Sequence, residues 1–326
     1  MIEKSFRLSN GFWHVFFPNS NKLFSPQNIP LEIWDIEKKA KERKWNPGIY
    51  GIKSIVFSSS GDKFVIEGGW VTNRARTEYY VFETDSLNCI DEFSTPVRCT
   101  NVKFTNGDKN LIFGTWYGDI FYYCLETKEL AKQFTLSEAY KFDLIHQGKS
   151  TNKLYFVTTK IAAENASWFD FIFEYDVTEK AGKKMHFDEI IAPYERNGKT
   201  YNTSIKGLTL HNENLAILAT TYGGKIDDDM VDNAKVYVYN IATKETILIK
   251  ENFKTPTIFD RGSSIVWNNS GSKLVFIGLC EVSIVDFETR SETIIPFERA
   301  TSVAFSNCDT GLAVGGDKAK LFRVNI

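Results

Sequence analysis

The sequence predicts an all-β fold, a seven-bladed β-propeller with four antiparallel strands per blade, forming one domain over residues 1–326. Three observations carry this expectation: one strand-ending element recurs along the chain, apolar strands alternate with turn residues at even spacing, and the two chain ends complement each other.

The recurring element is the end of a hydrophobic strand running into a polar turn. It reads Ile33-Trp34-Asp35, Phe82-Glu83-Thr84, Leu125-Glu126-Thr127, Tyr175-Asp176-Val177-Thr178, Tyr239-Asn240-Ile241-Ala242-Thr243, Val285-Asp286-Phe287-Glu288-Thr289 and Phe322-Arg323-Val324. Measured from Lys38, Thr84, Thr127, Thr178, Thr243, Thr289 and Ile326, the intervals are 46, 43, 51, 65, 46 and 37 residues, so the fourth and fifth repeats are outsized. A second element precedes it: an apolar strand, a turn of Gly, Asn, Ser or Asp, and another apolar strand. Examples are Ile55-Val56-Phe57 before Ser60-Gly61-Asp62, Val102-Lys103-Phe104 before Asn106-Gly107-Asp108, Ile265-Val266-Trp267 before Ser270-Gly271, and Val303-Ala304-Phe305 before Asn307-Cys308-Asp309. Such turn residues tolerate the positive φ that tight hairpins need. No amphipathic helical segment separates the strands, which argues against a parallel sheet.

The chain ends point to closure. The last copy stops at its third strand, within residues 318–326, while residues 2–8 form a strand that belongs to no blade of their own. Pairing the two supplies the missing fourth strand and leaves the ring without an open seam.

Composition bounds the function. Hydrophobic residues make up 43% and aromatics 14%, a payload suited to pleated, half-buried strands. Net charge is -2, from 39 basic and 41 acidic residues, so no bulk positive field draws the protein to nucleic acid or anionic membrane. The first residues carry scattered charges and no long apolar run, from which a cytoplasmic location is expected. Cys89, Cys99, Cys124, Cys280 and Cys308 are odd in number and far apart, and they read as reduced packing residues.

The repeating unit resembles the WD40 repeat over essentially the whole chain. Trp34-Asp35 ends one strand as that family's dipeptide does, and the run from Gly118-Asp119-Ile120 to Glu126-Thr127-Lys128-Glu129 is similar to its third strand and turn. Other copies lack the Trp-Asp dipeptide, and no Gly-His dipeptide precedes a first strand. The resemblance implies a ring closed by the N-terminal strand and a scaffold that binds other proteins.

In a propeller the turns joining first to second and third to fourth strands share one face. Second-to-third turns and blade-to-blade connections share the other. The first set is short here, as at Asn212-Glu213-Asn214 and Ala242-Thr243-Lys244; the second holds the extra length, at residues 70–77, 159–168, 188–202 and 222–233, which read as loops. These segments carry Trp70, Arg74, Arg76, Trp168, Tyr194, Arg196, Tyr201 and Tyr222, and blade three's short turn adds Trp116 and Tyr117. Such residues anchor interfaces, so this elaborated face over blades two to five is the candidate partner site. The plainer reading is that they pack the loops onto the propeller.

Cations recur at matched places before the first strands. Counting back six residues from the aromatic before each turn finds Arg98, Arg261 and Arg299; counting back four finds Lys53 and, aligned on Leu210, Lys206. Converging at the channel mouth they would attract an acidic segment, a phosphate or a carboxylate. Alternatively each pairs with an acid such as Asp260 or Glu298 and ties blades together.

Catalytic signatures do not appear. His14, His146, His186 and His211 fall in different blades, and no Walker A or G-x-S-x-G run occurs. The acidic run Asp227-Asp228-Asp229-Met230-Val231-Asp232 lacks the glycine and closing glutamate of a calcium loop and reads as a solvated tip. The expected function is a non-enzymatic platform for a protein or peptide, without cofactor or metal. The alternative is a propeller enzyme that binds or hydrolyses a sugar- or lactone-type molecule at the channel mouth.

Overall fold

The computed structural model describes residues 2–8, 14–18, 20–25, 30–68, 76–136, 140–147, 152–162, 167–185, 187, 194–196, 199–201, 203–226, 229–256, 264–316 and 318–324. Every regular element among them is a strand. The chain opens with β1 (Ile2–Arg7). Blade one is β2 (Val15–Phe16), β3 (Lys22–Ser25), β4 (Leu31–Asp35) and β5 (Ala40–Trp45); blade two is β6 (Ser54–Phe57), β7 (Lys63–Gly68), β8 (Thr77–Glu83) and β9 (Cys89–Thr95). Blade three is β10 (Cys99–Thr105), β11 (Asn110–Thr115), β12 (Asp119–Cys124) and β13 (Leu130–Thr135); blade four is β14 (Tyr140–Gln147), β15 (Lys153–Ala162), β16 (Ser167–Asp176) and β17 (Ala181–Met185). A small ribbon, β18 (Tyr194–Arg196) and β19 (Lys199–Tyr201), precedes blade five, which is β20 (Ser204–His211), β21 (Asn214–Ile226), β22 (Asp229–Asn240) and β23 (Thr246–Pro256). Blade six is β24 (Ile265–Trp267), β25 (Lys273–Ile277), β26 (Glu281–Asp286) and β27 (Glu292–Pro296); blade seven begins with β28 (Ala300–Phe305), β29 (Gly311–Gly316) and β30 (Lys320–Val324).

Each blade is an antiparallel meander, and the fourth strand of blade seven is β1. It pairs with β30 from Ile2↔Val324 to Arg7↔Lys320, so closure of the seven-bladed ring is as the chain ends predict. Backbone groups that would mark an open edge are thereby paired.

The apolar residues form no single centre. Seven clusters fill the seven seams between neighbouring blades, from Phe24, Phe64 and Phe82 between blades one and two round to Leu8, Leu23 and Leu321 between blades seven and one. Second strands such as β7 and β11 are buried on both faces, which is why they read as continuous apolar runs rather than alternating ones. Aromatics bridge the seams: Phe64 stacks on Phe82 at 5.2 Å and packs on Phe24 at 5.5 Å between centroids. Each such side chain withdrawn from water contributes roughly 1.5–3 kcal/mol.

Polar staples reinforce the seams on the face of the first hairpin turns. Asp108 accepts from Ser59 N at 2.8 Å, Ser59 Oγ at 2.7 Å and Ser60 N at 2.9 Å on the preceding blade. Asp309 does the same to blade six, accepting from Asn269 N at 2.7 Å and Ser270 N at 3.0 Å. Both aspartates sit at positive φ, 66° and 60°, at the turn position that meets the neighbouring blade.

Two expectations are corrected. Much of the extra length read as loops is strand: β15 and β16 pair out to Ala162↔Ser167, and β21 and β22 out to Ile226↔Asp229, with β23 alongside to Val231↔Pro256. Thr, Ile, Val, Trp and Phe in these stretches favour extended backbone, and ribbon pairing satisfies groups a loop would leave to water. Cysteine packing holds for Cys99, which is buried; Cys124 is half-buried, and Cys89, Cys280 and Cys308 are exposed, on an outer strand and in turns. All five are free thiols.

Candidate functional site

The turn between β11 and β12 builds the site. Thr115 Oγ1 accepts from Tyr117 N at 3.1 Å and Asp119 N at 3.0 Å, folding the turn tightly and pushing Trp116 and Tyr117 outward, 38% and 59% exposed. Trp116 N donates to Arg98 O at 3.2 Å, which holds the connection from blade two beside it. That connection is itself fixed: Thr95 Oγ1 donates to Val97 O at 2.7 Å and Cys99 N to Thr77 Oγ1 at 2.9 Å. The Arg98 guanidinium carbon then lies 4.1 Å from the Trp116 ring centroid.

A second cation reaches the same ring from blade four. A side chain at Gly114 would meet Phe142 Cβ at 2.5 Å, so only glycine lets β14 approach this closely. Thr100 Oγ1 donates to Phe142 O across the seam. The result is Lys141 Nζ at 4.3 Å from the Trp116 centroid. The electron-rich indole face attracts both cations and moderates their mutual repulsion.

Towards blade two the charges continue. Lys53 Nζ lies 3.4 Å from Glu67 Oε1, and Ser54 Oγ donates to Glu67 Oε2 at 3.2 Å. Burial pushes the Glu67 carboxyl up from 4.5 to about 7; Lys53, Ser54 and the more distant Arg98 only partly offset it. Arg98 thus acts both on the Lys53–Glu67 pair of blade two, through its charge, and on Trp116, which Lys141 of blade four also reaches.

Of the residues singled out from sequence, the structure brings Arg98 and Trp116 together, with Tyr117 beside them. Lys53 faces the Glu67 carboxylate within its own blade, so this pair does not tie two blades together. Arg299 is exposed immediately before β28, Lys206 lies half-buried on β20, and Arg76 is exposed immediately before β8. Glu298, considered as a partner for Arg299, lies 4.0 Å from Lys318. Trp168, Tyr194, Arg196, Tyr201 and Tyr222 occupy strands rather than loops, on β16, β18, β19 and β21. Trp70, Arg74, Arg261 and Asp260 lie outside the described residues, as do Asp227 and Asp228.

Sequence reasoning missed Lys141 and Glu67. Glu67 had a signal: a lone acid closing the buried run Phe64-Val65-Ile66. Lys141 had none, because its closeness to Trp116 depends on Gly114. Among the histidines, His14 is buried, and burial pushes it down to about 4, offset only in part by the backbone of Phe24. His211 packs on Trp267, with ring centroids 6.3 Å apart. Among the described residues no three His, Cys, Asp or Glu side chains are grouped to hold a metal ion.

No family model matches this sequence, and no curated protein matches it. Among solved structures the chain is similar to one from Kuenenia stuttgartiensis hydrazine synthase, with a TM-score of 0.68 over 97% of this chain and 96% of that one, at 9% identity. At that identity the likeness is one of fold alone.

Proposed function

We propose that this protein is a non-enzymatic binding platform whose elaborated face takes a protein or peptide through an acidic group seated at Arg98, Trp116 and Lys141. One observation carries the reading: two cations lie over one partly exposed tryptophan whose neighbour, Tyr117, is the more exposed of the pair. Aromatic and arginine side chains of this kind form interface hot spots. The rigid turn holding them lowers the ordering cost of binding.

The test is affinity capture from native lysate with wild type, Trp116→Ala and the charge reversal Arg98→Glu/Lys141→Glu, each checked for an unchanged unfolding midpoint. The expected result is a partner set retained by wild type and lost from both variants. A set unchanged in the charge reversal overturns the reading.

A second reading, a small-molecule enzyme, draws on Glu67. A buried carboxyl that titrates near neutrality beside Lys53 and Ser54 is the kind of group active sites use for proton transfer. It predicts no partner in any capture and a small ligand protected from exchange near Glu67.

A further inference from the structure

The hairpin-turn face is closed differently at different seams. Between blades two and three, and between six and seven, an aspartate carboxylate is bound by two consecutive backbone N–H groups of the preceding blade's turn. Between blades one and two this arrangement is missing on both sides. The position of Asp108 and Asp309 is taken by Gly61, at φ 78°, where a Cβ would meet Pro18 Cβ at 2.7 Å. The bond from Phe17 N to Lys22 O puts the blade-one turn in register with the turns at Ser58 and Asn268, so Pro18, which has no N–H, stands where Ser59 and Asn269 stand.

A cavity of about 410 Å³ opens at this seam. Phe17, Pro18 and Ile33 give it an apolar wall, and Lys22, Arg43 and Asp85 supply charge. These charges are unequally committed. Lys22 pairs with Glu42 at 3.0 Å, and Asp62, also lining the cavity, is held by Lys63 at 2.8 Å and Ser58 at 2.9 Å. Arg43 and Asp85 have no ion pair or side-chain hydrogen bond among the described residues. An arginine with its five donors unspent beside an apolar wall fits a carboxylate borne on a hydrophobic group.

We propose that the cleft between blades one and two binds an apolar group ending in a carboxylate, which Arg43 holds in a seam that lacks the aspartate staple found between blades two and three and between six and seven. Asp85 accepts the N–H adjoining that group. Two sources present this chemistry: the C-terminus of a peptide with an apolar last residue, and a free N-acylated amino acid.

Isothermal titration of the full chain with three probes separates them: N-acetyl-leucine, a hexapeptide ending in leucine with a free carboxylate, and the same hexapeptide as its C-terminal amide. The two acids are expected to bind and the amide to bind at least ~10-fold more weakly, the usual scale for losing a charge-assisted pair. Tighter binding of the peptide acid than of N-acetyl-leucine assigns the site to a peptide terminus; equal binding assigns it to the free acid. Arg43→Glu, on an exposed outer strand, is expected to keep the fold and lose at least ~10-fold in affinity for both acids. Pro18→Gly/Gly61→Asp, which rebuilds the staple that Asp108 and Asp309 form at their seams, is expected to abolish binding. Equal binding of acid and amide, no binding of either acid at millimolar concentration, or an unchanged Arg43→Glu overturns the proposal.

Discussion

On the hairpin-turn face, Asp108 lies across a seam with three donors converging on it; on the opposite face Glu67 lies at the end of a buried strand with Lys53 and Ser54 beside it. Burial raises both carboxyls. For Asp108 the hydrogen bonds from Ser59 and Ser60 outweigh it and hold the group below its ordinary 3.8; for Glu67 burial wins and the group reaches about 7. The difference teaches that depth of burial set against the direct donors decides whether an acid in this ring is a permanent charge: Asp108 is half-buried with three donors converging on it, Glu67 is almost wholly buried with fewer. The first is a structural rivet, the second a group poised between two states.

The largest expected effect comes from cancelling Glu67. Between pH 4.5 and about 7 the folded protein keeps a proton on Glu67 that the unfolded chain has released, so this group lowers stability as pH rises through that window, by about 3 kcal/mol. His14 acts in the opposite sense. The unfolded chain takes up a proton below 6.5 that folded His14 accepts only near 4, so stability falls as pH drops between those values, again by about 3 kcal/mol. The two terms offset each other in the wild type. Glu67→Gln is expected to expose the His14 slope, with the urea midpoint falling from pH 7 to pH 4.5, and His14→Leu the reverse slope. Parallel pH profiles for wild type and both variants would break the contrast between the two acids.

Asp108→Ala should cost about 2 kcal/mol at pH 7, since it removes three bonds to a charged acceptor while the Ser59 and Ser60 amides regain water. The folded pKa lies below the unfolded one, so this contribution is complete above pH 3.8 and is lost as pH falls through the folded value. Denaturation at pH 7 and at a series of values below pH 3.8 should show the full penalty at pH 7 and a penalty that shrinks as pH is lowered. The smallest effect is expected at Glu298→Gln. Its pairing with Lys318 is at 4.0 Å between exposed side chains, and thermal unfolding should register less than about 0.5 kcal/mol.

The blades were legible because each third strand is an apolar stretch that runs into a polar residue and a turn, Asp35, Asp176 and Asp286 in three of the seven. Asp286 shows the cause: its carboxylate accepts from Thr289 N at 2.9 Å, so the residue that punctuates the sequence also folds the turn. The ribbons of blades four and five were not legible. Gly223-Gly224 and Asp227-Asp228-Asp229 look like loop chemistry, while what extends β21 and β22 is mutual pairing that no single segment encodes. Arg98 and Trp116 could be nominated from position and type. Their contact could not, because it depends on the Thr115 turn, and the arrival of Lys141 depends on Gly114 letting β14 approach, a contact between blades that neither segment announces.

Blade five is also the tallest part of the ring. At about 3.3 Å per residue the 13 residues of β21 span roughly 43 Å, against roughly 20 Å for the 6 residues of β29. The 10-residue strands β15 and β16 make blade four intermediate. Among the described residues the long strands thus gather on blades four and five, while the strands of blades six, seven and one are short. Trp116, on blade three, thus stands next to the blade where the strands begin to lengthen, and Lys141 at the start of β14 reaches it from there.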